Sequence, residues 1–275
     1  DSAVFSDYAL FDSIVDSSPE ESKTEYCDAK PVILNAAIIE QVSIPEVRKA
    51  ISMLIDLERL NEEAYYGYGR VEKSIWAEGC CVYVEAEPRV YDPQGALELL
   101  SSVGIAPEDI AFTQHVFGNE DEWRRLESIG RQLAEAGICV EYEYYERYAP
   151  STPIMTGEWA MYTFNNTVSG CRSIQNLFSY FIPDNSLITI HLDLYGEDIQ
   201  SAVMAEYELI ENASDWDELI EHVKELTRIL QDEYIIHPTV QGAKLVVRSG
   251  EYDNYEFKRV GTESYALEFA KLKRK

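Results

Sequence analysis

Two neighbouring amides, Asn165 and Asn166, close the stretch WAMYTFNN, three and four residues after the aromatic Tyr162. An asparagine side chain offers one acceptor and two donors. Placed at the end of an apolar run, such a pair suits two roles. It can cap the backbone of a turn that follows a strand, or it can present amides to a polar ligand. Trp76, in EKSIWAEG, offers a similar choice: an aromatic platform for a ligand, or a ring packed on its own domain. His222 lies among carboxylates in DELIEHVKEL, a spacing that suits charges on a helix surface. His115 and His237 read as hydrogen-bonded strand residues, and Arg48 as a charge on a helix surface.

Signatures of catalysis are missing. There is no G-x-S-x-G, no H-E-x-x-H and no G-x-x-x-x-G-K-[ST]. GYGR at 67–70 follows a helical pattern and lacks the preceding strand of a dinucleotide fingerprint. Five cysteines (Cys27, Cys80, Cys81, Cys139 and Cys171) show no C-x-x-C spacing, and the four histidines lie far apart. No metal site and no cofactor are expected; the thiols read as small buried hydrophobes. Asn165-Asn166-Thr167 and Asn212-Ala213-Ser214 fit the short glycosylation acceptor pattern, which also occurs by accident. The acid pairs Glu20–Glu21 and Glu62–Glu63 read as surface. Nothing among these residues supports an enzyme.

Fifty acids against 23 bases give a formal charge of −27 over 275 residues, so nucleic acid is not an expected partner. The one basic cluster is the final Lys-Leu-Lys-Arg-Lys, which reads as a solvated end. With 46% apolar and 12% aromatic residues the chain can bury a core of one large domain or two small ones. No apolar run reaches the roughly 20 residues needed to span a bilayer, and no signal peptide opens the chain. Asp1 begins in what reads as mid-protein sequence, so a processed product or a piece of a longer protein is expected.

Around these residues the periodicities place alternating strands and helices. PVILNAAII reads as a strand, and the acidic stretch before it, residues 16–30, ending in PEESKTEYCDAK, as a surface loop. Residues 43–66 predict one helix, with capping-box spacing from Ser43 to Glu46, Pro45 in its first turn and Val47, Ala50, Ile51 and Leu54 buried. Asp92 and Pro93 open a second helix that ends at Gly104. Residues 110–146 predict strand–helix–strand, with Asn119 as cap and Gly137 as stop, hence a parallel crossover. WAMYTF is a further strand. Two helices follow, the second burying Trp216, Leu219, Ile220, Val223, Leu226 and Leu230. Two short strands around Gly242 close the pattern. The class is α/β with a mixed sheet flanked by helices.

Five of these pieces stand in a telling order. NAAIIEQVSIPEVRKAISMLIDLERLNEEAYYGYGR, YDPQGALELLSSVGI, EAGICVEYEYYE, the WAMYTFNN strand with its polar end, and RILQDEYIIHPTV together resemble the extracellular solute-binding proteins of family 5. That family comprises peptide- and nickel-type receptors of ABC importers. The resemblance runs from about residue 32 to 247.

The resemblance implies a lobe like that of a type II periplasmic binding protein. Residues 1–275 would form a single α/β unit, the C-terminal lobe of a two-lobed receptor, with 1–31 and 248–275 as its edges. Its partners would be a small solute or peptide, an absent N-terminal lobe and an ABC permease. The location would be extracytoplasmic, with the full-length protein anchored to the membrane as a lipoprotein. In peptide-binding members an aspartate three residues after an aromatic pairs with the ligand's amino group. Tyr162 falls at the aromatic position and Asn165 at the aspartate position, so Tyr162, Asn165, Asn166 and Trp76 are the expected ligand-binding residues. Asn165 lacks the charge that strengthens a bond to an ammonium group. The alternatives are a sensory or regulatory module of the same fold and an interaction domain without a transport role.

Overall fold

The computed structural model describes residues 2–5, 22–87, 89–117, 120–145, 152–163, 166–167 and 190–248, and four strand pieces beyond. In chain order the elements are β1 (Ser2–Phe5), β2 (Ser22–Ala29), β3 (Val32–Leu34), α1 (Pro45–Met53), α2 (Leu57–Tyr65), β4 (Arg70–Val71), α3 (Pro93–Ser102), β5 (Ala111–Phe117), α4 (Glu120–Glu135) and β6 (Cys139–Tyr145). There follow a single-turn α5 (Pro153–Thr156), β7 (Met161–Thr163), β8 (Asn166–Thr167), α6 (Glu197–Glu211), α7 (Trp216–Asp232), β9 (Ile236–His237) and β10 (Val240–Arg248). Two small antiparallel ladders, Tyr252–Asp253 with Lys273–Arg274 and Phe257–Val260 with Ser264–Leu267, complete the described residues.

Three chain segments form a spine. In one sheet β3 is flanked by β7 and β9; in the next, β2 is flanked by β8 and β10. The antiparallel partners Val32–Thr163 and Ala29–Asn166 lie three residues apart on both segments, so the register before the break is the register after it. β2 and β3 are thus the central strands of the two sheets, β3 between 161–163 and 236–237 and β2 between 166–167 and 240–248. β10 shifts its pairing between Gly242 and Ala243, where the partner steps from Asp28 to Tyr26. Gly242 thus lies inside one long strand. The break between the two closing strands falls at Pro238, whose missing N–H cannot serve a ladder.

β5 and β6 pair in parallel, Ala111 with Cys139 through Phe117 with Tyr145, across α4. This is the crossover that the spacing predicts. Ile129 and Leu133 of α4 pack into a core shared with Ile33, Leu34, Ile51, Leu60, Leu100, Trp159, Leu230 and Ile236. Gly130 lets α4 approach β6 closely: a Cβ there would sit 2.1 Å from the Tyr142 hydroxyl.

Other expectations change. The Ser43–Glu46 capping box does not form; Ile44 caps α1 without a side-chain bond, and Ser43 belongs to a 3-10 turn. The single helix of 43–66 is two. Asp56 begins the second, its Oδ1 accepting from the amides of Glu58 and Arg59 at 3.1 Å. The loop expected before β3 contains β2, because pairing with β10 overrides its acidic composition. Asp92 caps α3 as expected, accepting from Gly95 N at 2.9 Å, and Gly104 takes φ +74°. Trp216 is 49% exposed: at the first position of α7 it lies ahead of the turns that bury Val223, Leu226 and Leu230.

Arg48 reverses the surface reading altogether. It is fully buried, and its guanidinium donates to the carbonyls of Glu233 (2.6 Å), Val42 (3.0 Å) and Ser43 (2.9 Å). Burial lowers its pKa against the pull of Glu233, whose carboxylate lies 3.3 Å away.

Candidate functional site

β7 is only three residues long, yet side chains from three other elements grip it and the segment leading into it. Asn35, buried just after β3, donates to the carbonyls of Gly157 (3.2 Å) and Trp159 (2.7 Å), and its Oδ1 accepts from Ala37 N at 3.0 Å. Gln114 of β5 accepts from Met161 N and donates to Met161 O, both at 3.1 Å. Its amide stands in for a peptide group and bridges β5 to β7 where no backbone ladder joins them. Arg125 of α4, itself buried, donates to the Thr163 hydroxyl at 2.8 Å.

Tyr162 lies between these grips, opposite Ile33 and half-buried, with its ring 5.9 Å from that of Trp159. Asn165 falls outside the described residues. Asn166 is not part of a turn: its backbone pairs with Ala29 as the strand resumes. Trp76 is not brought to this place. It is fully buried, and its Nε1–H donates to Thr227 Oγ1 of α7 at 2.8 Å. No ring face is left for a ligand, so of the two readings of Trp76 the packed one holds.

The histidines divide. His222 Nδ1 lies 2.9 Å from Glu206, joining α7 to α6. His115 sits 3.5 Å from Glu143 on the neighbouring strand. His237 is buried in β9 with neither ring nitrogen hydrogen-bonded, so it is not the satisfied strand residue expected. Burial, with Arg89 and Arg48 nearby, pushes its pKa down to about 3. It is a neutral imidazole at ordinary pH.

Flanking the spine, Arg70 lies between Glu72 (3.2 Å) and Glu78 (2.6 Å) and also donates to Gln241. Burial raises the pKa of Glu72 despite Arg70, and raises that of Tyr83 to about 12. α2 ends at Tyr66, in the left-handed conformation at φ 54°. The hydroxyl of Tyr66 accepts from Arg124 at 2.8 Å. Among the described residues no group of three or more His, Cys, Asp or Glu is arranged to hold a metal. Among the described residues the region offers amides, hydroxyls, guanidinium groups and an aromatic, groups that can hydrogen-bond a polar solute. Gln114 and Arg125 carry no motif that would single them out from sequence, and only the topology brings them, with Asn35, to one strand.

The sequence profile of the bacterial extracellular solute-binding proteins, family 5 Middle, matches residues 21–186. No curated protein sequence matches the chain. Among solved structures, NikA from Brucella suis, crystallised with Fe(III)-EDTA, is similar over all of this chain and 57% of its own, with 18% identity and a TM-score of 0.79. A putative peptide binding protein AppA from Clostridium difficile shares 17% identity over 91% of this chain and 52% of its own, with a TM-score of 0.70. NikZ from Campylobacter jejuni, crystallised with Ni(L-His), shares 15% identity over 93% of this chain and 53% of its own, with a TM-score of 0.65. This chain therefore spans just over half the length of those proteins. The fold is that of type II periplasmic binding proteins.

Proposed function

Because this chain belongs to the bacterial extracellular solute-binding proteins of family 5, we propose that it is one lobe of a receptor that delivers a solute to an ABC permease. In this reading residues 1–275 are the C-terminal lobe, and a first lobe, absent here, closes the other side of a cleft. The coverage of only 52–57% of the similar solved chains supports a missing lobe. The family's place is outside the cytoplasm. No helix among the described residues is long and apolar enough to cross a membrane, and an anchored, lipoprotein form of the full-length receptor is part of the proposal.

The observation that carries the reading is the spine. Tyr162 and Asn166 keep one register against their partners Ile33 and Ala29, and β7 is clamped by side chains. A strand fixed in this way can offer main-chain and side-chain groups to an extended ligand without losing order. We place Tyr162, Asn165 and Asn166 on the cleft and leave out Trp76, which is committed to the core. A peptide is the favoured solute. Closure of the two lobes would then be driven by contacts made only in the closed form.

The test is a thermal-shift titration of the two-lobed protein with a tripeptide library, with nickel–histidine as a separate arm. A binder at about 100 times its dissociation constant stabilises the folded state by about 2.7 kcal/mol, a readily measured shift. No shift in either arm removes peptide and nickel-chelate binding from the proposal.

A further inference from the structure

We infer that Gln114 is a positioning residue for solute binding, fixing through Met161 where Tyr162 stands. The inference rests on the proposed cleft role of that strand. β7 has a backbone partner, β3, along one edge. On the side of β5 a carboxamide grips it, accepting from Met161 N and donating to Met161 O at 3.1 Å each. The same Nε2 also donates to His115 O at 2.9 Å. Gln114 is fully buried, so water does not compete for these bonds.

The register explains why this matters. Met161 is the residue next to Tyr162, and side chains of adjacent strand residues point to opposite faces. A displacement of the Met161 peptide unit is therefore passed directly to the Tyr162 Cα. Thr163, on the far side of Tyr162, is held by Arg125 at 2.8 Å. Tyr162 is thus suspended between two side-chain grips from one strand–helix unit, β5 and α4. That unit has no ladder to the sheet of β7. Removing the Gln114 grip frees one end of the suspension while leaving the β5–β6 ladder intact.

Substitution by glutamate gives a discriminating probe. A protonated carboxyl can reproduce both bonds, its carbonyl accepting from Met161 N and its O–H donating to Met161 O. An ionised one faces the Met161 carbonyl with no proton to give. Burial favours the protonated form as pH falls. A role limited to filling volume would not depend on that proton.

The experiment uses the two-lobed protein as wild type, Gln114→Ala, Gln114→Met and Gln114→Glu. Tripeptide affinity, with the strongest binder of the library as probe, is measured from pH 8 to pH 5. Amide hydrogen exchange at Met161 and along β5 and β6 is followed in the same proteins without ligand. We expect Gln114→Ala and Gln114→Met to weaken binding about tenfold or more, the equivalent of one to two lost hydrogen bonds. Met161 exchange should accelerate while the β5–β6 amides keep their protection. Gln114→Glu should resemble these variants at pH 8 and regain most of the wild-type affinity and Met161 protection by pH 5, losing only the bond to His115 O. Wild-type affinity in all three variants, or loss in Gln114→Glu without recovery, overturns the role of Gln114 while the binding reading stands. A wild-type protein that ignores every tripeptide overturns the peptide-binding reading itself, and the inference with it.

Discussion

Arg48 Nε donates to the main-chain carbonyl of Glu233 across 2.6 Å, tying the first half of α1 to the residue that follows α7. The same guanidinium closes the turn before α1 through Val42 and Ser43, so one buried cation organises three pieces of chain. Replacing it by methionine leaves three carbonyls without that donor. The expected cost is on the order of 3–5 kcal/mol, read as a lower urea midpoint. Lysine, which lacks the planar fork, should recover only part of it. A midpoint unchanged in Arg48→Met would mean that these carbonyls find other donors at no cost.

His237 makes stability depend on acid. Its folded pKa, about 3, lies below the ordinary 6.5, so the unfolded chain takes up its proton first. The contribution is fully present above about pH 6.5 and is lost as pH falls from there toward 3, at up to about 1.4 kcal/mol per unit. The charges facing it, Arg89 and Arg48, are both cations and enlarge the loss by holding its folded pKa down. Between pH 7 and 4 the urea midpoint of wild type should fall faster than that of His237→Gln. Parallel curves would show that burial of His237 is relieved by local movement.

Trp76→Phe separates packing from ligand contact. The substitution removes the 2.8 Å bond to Thr227 and part of a buried ring. It should lower stability by about 1–3 kcal/mol while leaving solute affinity as in wild type. Lost affinity at unchanged stability would return Trp76 to the ligand site.

Asn165→Asp puts a carboxylate at a position proposed to face the cleft. Calorimetric titration should find tighter binding of amine-bearing solutes and an almost unchanged melting temperature. Severe destabilisation would place the amide in a buried hydrogen-bond role instead.

What is legible in the sequence follows from how local its cause is. The β5–α4–β6 crossover, the Asp92 cap and the turn at Gly104 are written within a few residues, and the structure keeps all three. β2 is hidden because its stability comes from β10, more than 200 residues away, rather than from its own acidic composition. Arg48 looks like a surface charge because helical spacing does not say which face meets the end of α7. The break at Asp56 is masked by an apolar stripe that continues across it. Of the candidate site, the aromatic and its strand can be located from sequence. The grips that fix them cannot, since Asn35, Gln114 and Arg125 become neighbours of that strand only after the chain has folded.

The most direct measurement is isothermal titration of the two-lobed protein with the best tripeptide of the library, comparing wild type with Tyr162→Ala. If the strand of Tyr162 lines the cleft, wild type binds, and the variant binds at least about tenfold more weakly with its unfolding transition little changed. Equal affinities for the two proteins would contradict the assignment of this strand to the solute site.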